Sequence, residues 1–167
     1  MISVLLFEIL VVLITIFLLI FMKSKGINNV IRKFGILLLA VLLFQIMAEP
    51  MWINSNLHSW AYIYGNVSWV LAFGWVSIFL ISFLVVDSIF RKTSEKVKFW
   101  LYLLVVTLIT VPLESLILNM GIRTYALFLS ETFGGFMIPL TQVPIEVLVA
   151  VPMISALVIP FYKYFSK

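Results

Sequence analysis

Apolar residues run along this chain in long blocks separated by short polar stretches, and block length decides the elements. Five blocks, near residues 2–22, 34–53, 67–88, 99–118 and 136–162, match the roughly 20 residues a helix needs to cross a bilayer. The second is short as far as Glu49 and is extended through Pro50 to Ile53. The pattern predicts an all-α integral membrane protein: five transmembrane helices in one domain over residues 1–167. No stretch is left over for a soluble domain.

Composition agrees. Of 167 residues, 64% are hydrophobic and 11% charged, which excludes an ordinary soluble domain. The net charge of +4 carries no nucleic-acid signal, because the cations follow the membrane. Lys23, Lys25, Arg32 and Lys33 fall between the first and second blocks, and Arg91, Lys92, Lys96 and Lys98 between the third and fourth. Lys163 and Lys167 close the chain, and only Arg123 lies on the other side. The positive-inside rule therefore predicts an outward N-terminus, an inward C-terminus and a multi-pass protein of the cell membrane. The first block lacks a positive n-region and reads as a retained helix rather than a signal peptide. There is no cysteine, so disulfides and thiolate chemistry are out. No P-loop, dinucleotide fingerprint or G-x-x-x-G motif occurs, and no cofactor is indicated.

Carboxylates inside the apolar blocks are the candidate chemistry, because an ionisable group at membrane depth is costly. Glu114 follows Pro112, Glu146 follows Pro144 and Glu49 precedes Pro50. Counting to the nearest basic flank, Lys33 to Glu49 is 16 residues, Lys98 to Glu114 is 16, Glu146 to Lys163 is 17 and Glu8 to Lys23 is 15. At about 1.5 Å per residue, all four acids lie roughly 23–26 Å from the basic side, in one layer. Gln45, Thr110 and Gln142 each precede an acid by four residues and are expected to share its helix face as polar partners. Glu8, close to the start of its helix, reads first as an interfacial acid near a helix N-terminus.

The loop between the second and third blocks is crowded with Trp60, Tyr62, Tyr64 and the sole histidine, His58. An interfacial aromatic belt explains the rings. A wall of π faces beside the acid layer, able to stabilise a cation, is the functional alternative. His58 alone makes a weak metal site. Gly74, Ser77 and Ser82 would let the third helix approach its neighbours, and Asp87 is expected to pair with Arg91 four residues on. Arg123 reads either as a partner of Glu131 or as a guanidinium that orients a carboxylate or an anionic head group.

A weak internal repeat aligns residues 56–62 with 119–125, each copy following an acid-and-proline helix end. The second and third helices, and the fourth and fifth, then form two parallel hairpin repeats plus one N-terminal helix, with a site expected at the repeat interface. The run from Asn119 through Gly121, Arg123 and Tyr125 to Gly135, then Val143-Pro144-Ile145-Glu146, resembles the small membrane-embedded lycopene (carotenoid) cyclases of the non-flavin, two-subunit or fused kind. The family's usual Glu-Glu doublet is here Glu114-Ser115 and Glu146-Val147. The resemblance implies Glu114 and Glu146 as the acids of a proton-initiated isoprenoid cyclisation.

The leading expectation is an enzyme that cyclises, isomerises or hydrates a polyene or prenyl lipid, with no metal. Burial and like-charge neighbours favour a neutral carboxyl, so one acid of the set is expected to keep its proton. Glu146 is assigned as donor, Glu114 as its partner and Glu49 as a third acid. Arg123, Tyr125, Trp60, Tyr62, Asn56, Asn119 and Gln142 are the expected substrate contacts. The alternative is a proton- or cation-coupled transporter or a lipid-binding subunit, as a homodimer or with a second membrane subunit.

Overall fold

Long runs of Leu, Ile, Val and Phe make helices here, even across single interior prolines at Pro112, Pro152 and Pro160, and polar, Gly- or Pro-bearing stretches separate them. The computed structural model describes residues 3–166. In chain order come α1 (Val4–Ser24), α2 (Val30–Met47), β1 (Trp52–Asn54), β2 (Tyr62–Tyr64), β3 (Val67–Ser68), α3 (Trp69–Ile89), α4 (Glu95–Asn119), β4 (Arg123–Tyr125), α5 (Leu127–Thr132) and α6 (Val147–Phe165). Among the described residues, five of these helices (α1, α2, α3, α4 and α6) are long and apolar enough to cross a membrane.

α3 is the hub. Two-thirds of its most apolar window is buried, far more than for any other span. α2, α3, α4 and α6 pack in a ring, and α1 lies outside it, mainly against α3. The Thr15 and Ser77 hydroxyls join α1 to α3 at 2.9 Å. Leu37, Val41, Phe79, Tyr102, Val106 and Ile159 fill the core at 2% exposure or less. Without a hydrophobic gain between helices in lipid, such close packing and the Thr15–Ser77 bond are what hold helices together.

The basic end of the bundle is knotted by charge. Lys98 reaches Asp87 at 3.3 Å and Glu95 at 3.2 Å, and the Tyr102 hydroxyl donates to Asp87 at 2.6 Å. Asp87 therefore pairs across to α4 rather than with Arg91 along its own helix, because the α3–α4 turn folds Lys98 back over it.

The opposite end is capped by irregular chain. β1 pairs antiparallel with β4 in the register Trp52–Tyr125, Ile53–Thr124 and Asn54–Arg123. β2 and β3 make a second small ribbon. Gly121, at φ +66°, turns the chain out of α4 into β4, and its carbonyl accepts from both Ser55 Oγ and Asn56 Nδ2 at 3.0 Å. A Cβ there would lie 3.1 Å from Asn56 Nδ2, so the turn suits glycine twice over. The two stretches aligned by sequence fold differently: residues 60–62 run from a 3₁₀ turn into β2, whereas residues 123–125 form β4.

Two predicted spans are corrected. The second ends at Met47, and residues 49–53 form a 3₁₀ turn and the start of β1, since Pro50 cannot continue the α-helical hydrogen bonding. The fifth begins at Val147, not near residue 136. Residues 136–145 fold as a short hairpin with Ile138 N donating to Val143 O at 2.8 Å and Ile145 N to Phe136 O at 3.0 Å. Gly135 at φ +76° and Leu140 at φ +66°, with Pro139 and Pro144, keep this apolar stretch out of a helix.

Candidate functional site

Glu114 is where the acid layer becomes a site. It lies five residues before the end of α4, buried at 5% exposure, and β4 brings two partners to it. Arg123 Nη1 donates to Glu114 Oε2 at 2.9 Å, and the Tyr125 hydroxyl donates to Oε1 at 3.3 Å. Arg123 is itself buried at 4% and stacks over the Trp52 ring at 4.9 Å. Its Nε donates to Asn54 Oδ1 at 3.1 Å. The β1–β4 register that sets Asn54 opposite Arg123 is what makes that bond. Burial, reinforced by the Glu114 carboxylate, pushes the Tyr125 phenol well above its ordinary range, so it stays a neutral donor.

Glu131 is thus not the partner of Arg123; the turn at Gly121 aims the guanidinium back at α4. Thr110, one turn before Glu114, does not bond it either. Its buried hydroxyl has no hydrogen-bond partner among the described residues.

The network continues to a second acid. Asn54 Nδ2 donates to the Asn66 carbonyl at 2.6 Å, and Asn66 Nδ2 donates to Glu49 Oε1 at 3.0 Å. Glu49 and Glu114 are therefore linked through two asparagines and an arginine, although they do not touch. Gln45 does not serve Glu49. With its amide in the hydrogen-bonding orientation it donates to Ser68 O at 3.1 Å and accepts from Ala72 N at 3.0 Å, tying α2 to α3.

Glu146 stands apart at the head of α6, where Oε1 accepts the Gly134 amide at 2.6 Å. Its Oε2 is buried without a hydrogen-bond partner among the described residues. Gln142 sits exposed in the hairpin before α6, so the expected i, i+4 helical pair does not form. Glu8 is fully buried and accepts the His58 backbone amide at 2.7 Å and faces its Nδ1 at 3.0 Å. That corrects its reading as an interfacial acid: the loop folds over the end of α1 and seals it. His58→Ala, which removes the ring but keeps the amide bond, is expected to cost about 1–2 kcal/mol, read as a lowered unfolding midpoint in detergent. His58→Gln should recover part of it.

An apolar cavity of about 250 Å³ borders Glu114. It lies between α1, α3 and α4, with Phe7, Val11 and Ile14 on one wall, Trp75 and Ile78 behind and Ile109 and Leu113 opposite. Glu114, Arg123, Thr110 and Ser77 are its polar lining. Neither Glu8, Glu49 nor Glu146 reaches it. Of the four acids, Glu114 alone lines this cavity.

The expected substrate contacts divide likewise. Arg123 and Tyr125 join Glu114. Tyr62 donates to the Asn54 carbonyl at 3.2 Å, and Asn56 serves the loop–loop contact at Gly121. Trp60 packs on Trp69 at 5.0 Å between ring centroids, and Asn119 is exposed and weakly bonded to Ser115 at 3.4 Å. Sequence reasoning misses Trp52, Asn54 and Asn66 as members of the network. The asparagines bounding the first loop were the available signal. Among the described residues no three His, Asp or Glu side chains gather as a metal site. Compared with known proteins, the chain matches no family model, no curated protein and no solved structure.

Proposed function

We propose that this is an integral membrane enzyme that takes the end of a prenyl or polyene chain into the α1–α3–α4 cavity and moves a proton on it through Glu114. One observation carries the reading: a single carboxylate, fixed by Arg123 and Tyr125, borders a cavity that is otherwise almost wholly apolar. In such chemistry the Glu114 carboxyl gives its proton to one carbon of a double bond of the chain, leaving a tertiary carbocation beside the carboxylate so formed. A second double bond then closes a ring, or water adds, and a proton leaves from another site. Protons taken up and released balance, so no redox partner is needed. Glu114 offers the fixed negative charge that stabilises the cation and the base that takes the released proton. Trp75 and Phe7 offer ring faces in the same cavity.

Two residues within the resemblance to lycopene cyclases, Glu114 and Tyr125, meet here, which supports an isoprenoid substrate; Arg123 stands where that family often has an aromatic, and Glu146 lies elsewhere. The donor role expected of Glu146 requires it to reach this cavity. Its place at the head of α6 gives the first acid–base role to Glu114 instead. The cation distribution supports an outward cap end in the cell membrane. It fits two hairpins, α2–α3 and α4–α6, with α1 added outside.

A second reading, a lipid transporter or binding subunit, is favoured by the Arg123–Glu114 ion pair, since a pre-paired carboxylate also suits a fixed anchor. Proteoliposomes supplied with prenyl alcohols and acyclic polyenes separate the two. Recovery of a product isomeric with the substrate, or heavier by one water, supports the enzyme. Passage of unchanged substrate across the membrane without conversion overturns it in favour of the second reading.

A further inference from the structure

The chain between α5 and α6 is apolar, uncharged and turned outward. Residues 133–145 hold no charged side chain, and Phe136, Met137, Leu140 and Ile145 are all exposed, Leu140 completely. Leu140 also sits at φ +66°, a backbone conformation that a bulky residue adopts only at a cost. In water the tip of this hairpin would add the penalty of a bare leucine to that strain. A hydrocarbon setting removes the added penalty.

Span length supplies that setting. From Lys163 near the basic end back to Val147, the first residue of α6, is 16 residues. At about 1.5 Å per residue this covers about 24 Å, against a hydrocarbon core of about 30 Å. The remaining ~6 Å on the cap side fall to the chain before Val147, which is the hairpin of residues 136–145. Ile145 leads onto Val149, Met153 and Leu157, spaced four apart and exposed along one face of α6. The hairpin therefore continues an apolar stripe of α6 beyond the end of the helix.

Irregular backbone is tolerated in an apolar layer only where its polar groups are bonded. The amides of Ile138, Thr141, Val143 and Ile145 all donate within the hairpin, and the Thr141 hydroxyl donates to the Ile138 carbonyl at 2.9 Å. Pro139 and Pro144 carry no amide hydrogen to satisfy. Little unbonded donor capacity would have to be dehydrated.

We infer that residues 136–145 form a membrane-inserting hairpin. Its Phe136, Met137 and Leu140 side chains lie among the acyl chains of the leaflet at the cap end and complete the span that α6 leaves short. Its partner is lipid, whichever reaction the α1–α3–α4 cavity performs.

The chain has no cysteine, so a single introduced one carries an environment-sensitive nitrobenzoxadiazole dye without competition. The labelled full chain goes into phosphatidylcholine nanodiscs with or without nitroxide-bearing acyl chains, with iodide as the aqueous quencher. Val149→Cys, on the exposed face of α6, calibrates lipid contact, and Asn28→Cys, in the exposed α1–α2 turn, calibrates water. Leu140→Cys is expected to match Val149→Cys: blue-shifted emission, quenching by the nitroxide lipid and resistance to iodide. Met137→Cys, on the first arm of the hairpin, is expected to do the same and answers alone if Leu140→Cys fails to fold. Iodide quenching at the level of Asn28→Cys, without nitroxide quenching, puts the hairpin in water and overturns the inference. Protection from both quenchers overturns it too, since a second copy or another protein would then cover the hairpin.

Discussion

Replacing Arg123 with Met should be among the most damaging single changes in this chain, lowering stability by about 3–5 kcal/mol. The guanidinium is buried at 4% exposure and answers a Glu114 carboxylate buried almost as deeply. Removing it strands that carboxylate beside an apolar cavity, with only the 3.3 Å bond from Tyr125 left. It also frees Asn54 Oδ1 and uncovers the Trp52 ring, so the β1–β4 contact loses its side-chain support. At a typical 2–4 °C per kcal/mol for a chain of this size, the unfolding midpoint in detergent should fall by at least roughly 6 °C. The double variant Arg123→Met with Glu114→Gln removes both charges, and breaking a buried pair costs more than replacing it. It should therefore recover most of the loss. Equal damage in the single and double variants would show that Arg123 acts by packing alone and that the ion pair contributes little.

Helices were legible in this sequence where burial is uniform and obscure where it is not. α3 and α4 were placed within a few residues because lipid-length apolar blocks admit little else. Residues 136–145 misled because Phe136, Met137, Ile138, Leu140 and Ile145 are apolar without being helical. Hydropathy cannot separate a membrane-edge hairpin from the first turns of a span. The contrary signal was present in Gly134-Gly135, Pro139 and Pro144, and backbone geometry obeyed it. At the site, spacing along helices speaks only to the acids' height, since rise per residue is a local property. Which acid meets which partner is a long-range property. Glu8 finds His58 50 residues away, and Arg123 finds Asn54 69 residues away. The second contact exists because β1 and β4 pair in one register, and nothing in the spacing of prolines and acids encodes that pairing.

The same geometry ranks the acids for function. Glu114→Gln should reduce conversion of a prenyl or polyene substrate by at least about 100-fold, the low end of what a positioned acid or base contributes. The amide keeps a carbonyl for Arg123 to bond but leaves the buried guanidinium without its counter-charge, so the variant should fold with a lowered unfolding midpoint while losing the charge and the base. Glu146→Gln should cost conversion less than about tenfold, because its one bonded oxygen serves the Gly134 amide and it lies outside the cavity lining. Glu49→Gln should fall between, since it touches Glu114 only through Asn66, Asn54 and Arg123. Measuring turnover for the three variants against their unfolding midpoints separates chemistry from folding. A folded Glu114→Gln protein with full activity, or a Glu146→Gln protein that is inactive though stable, would shift the reacting centre from the α1–α3–α4 cavity to the head of α6.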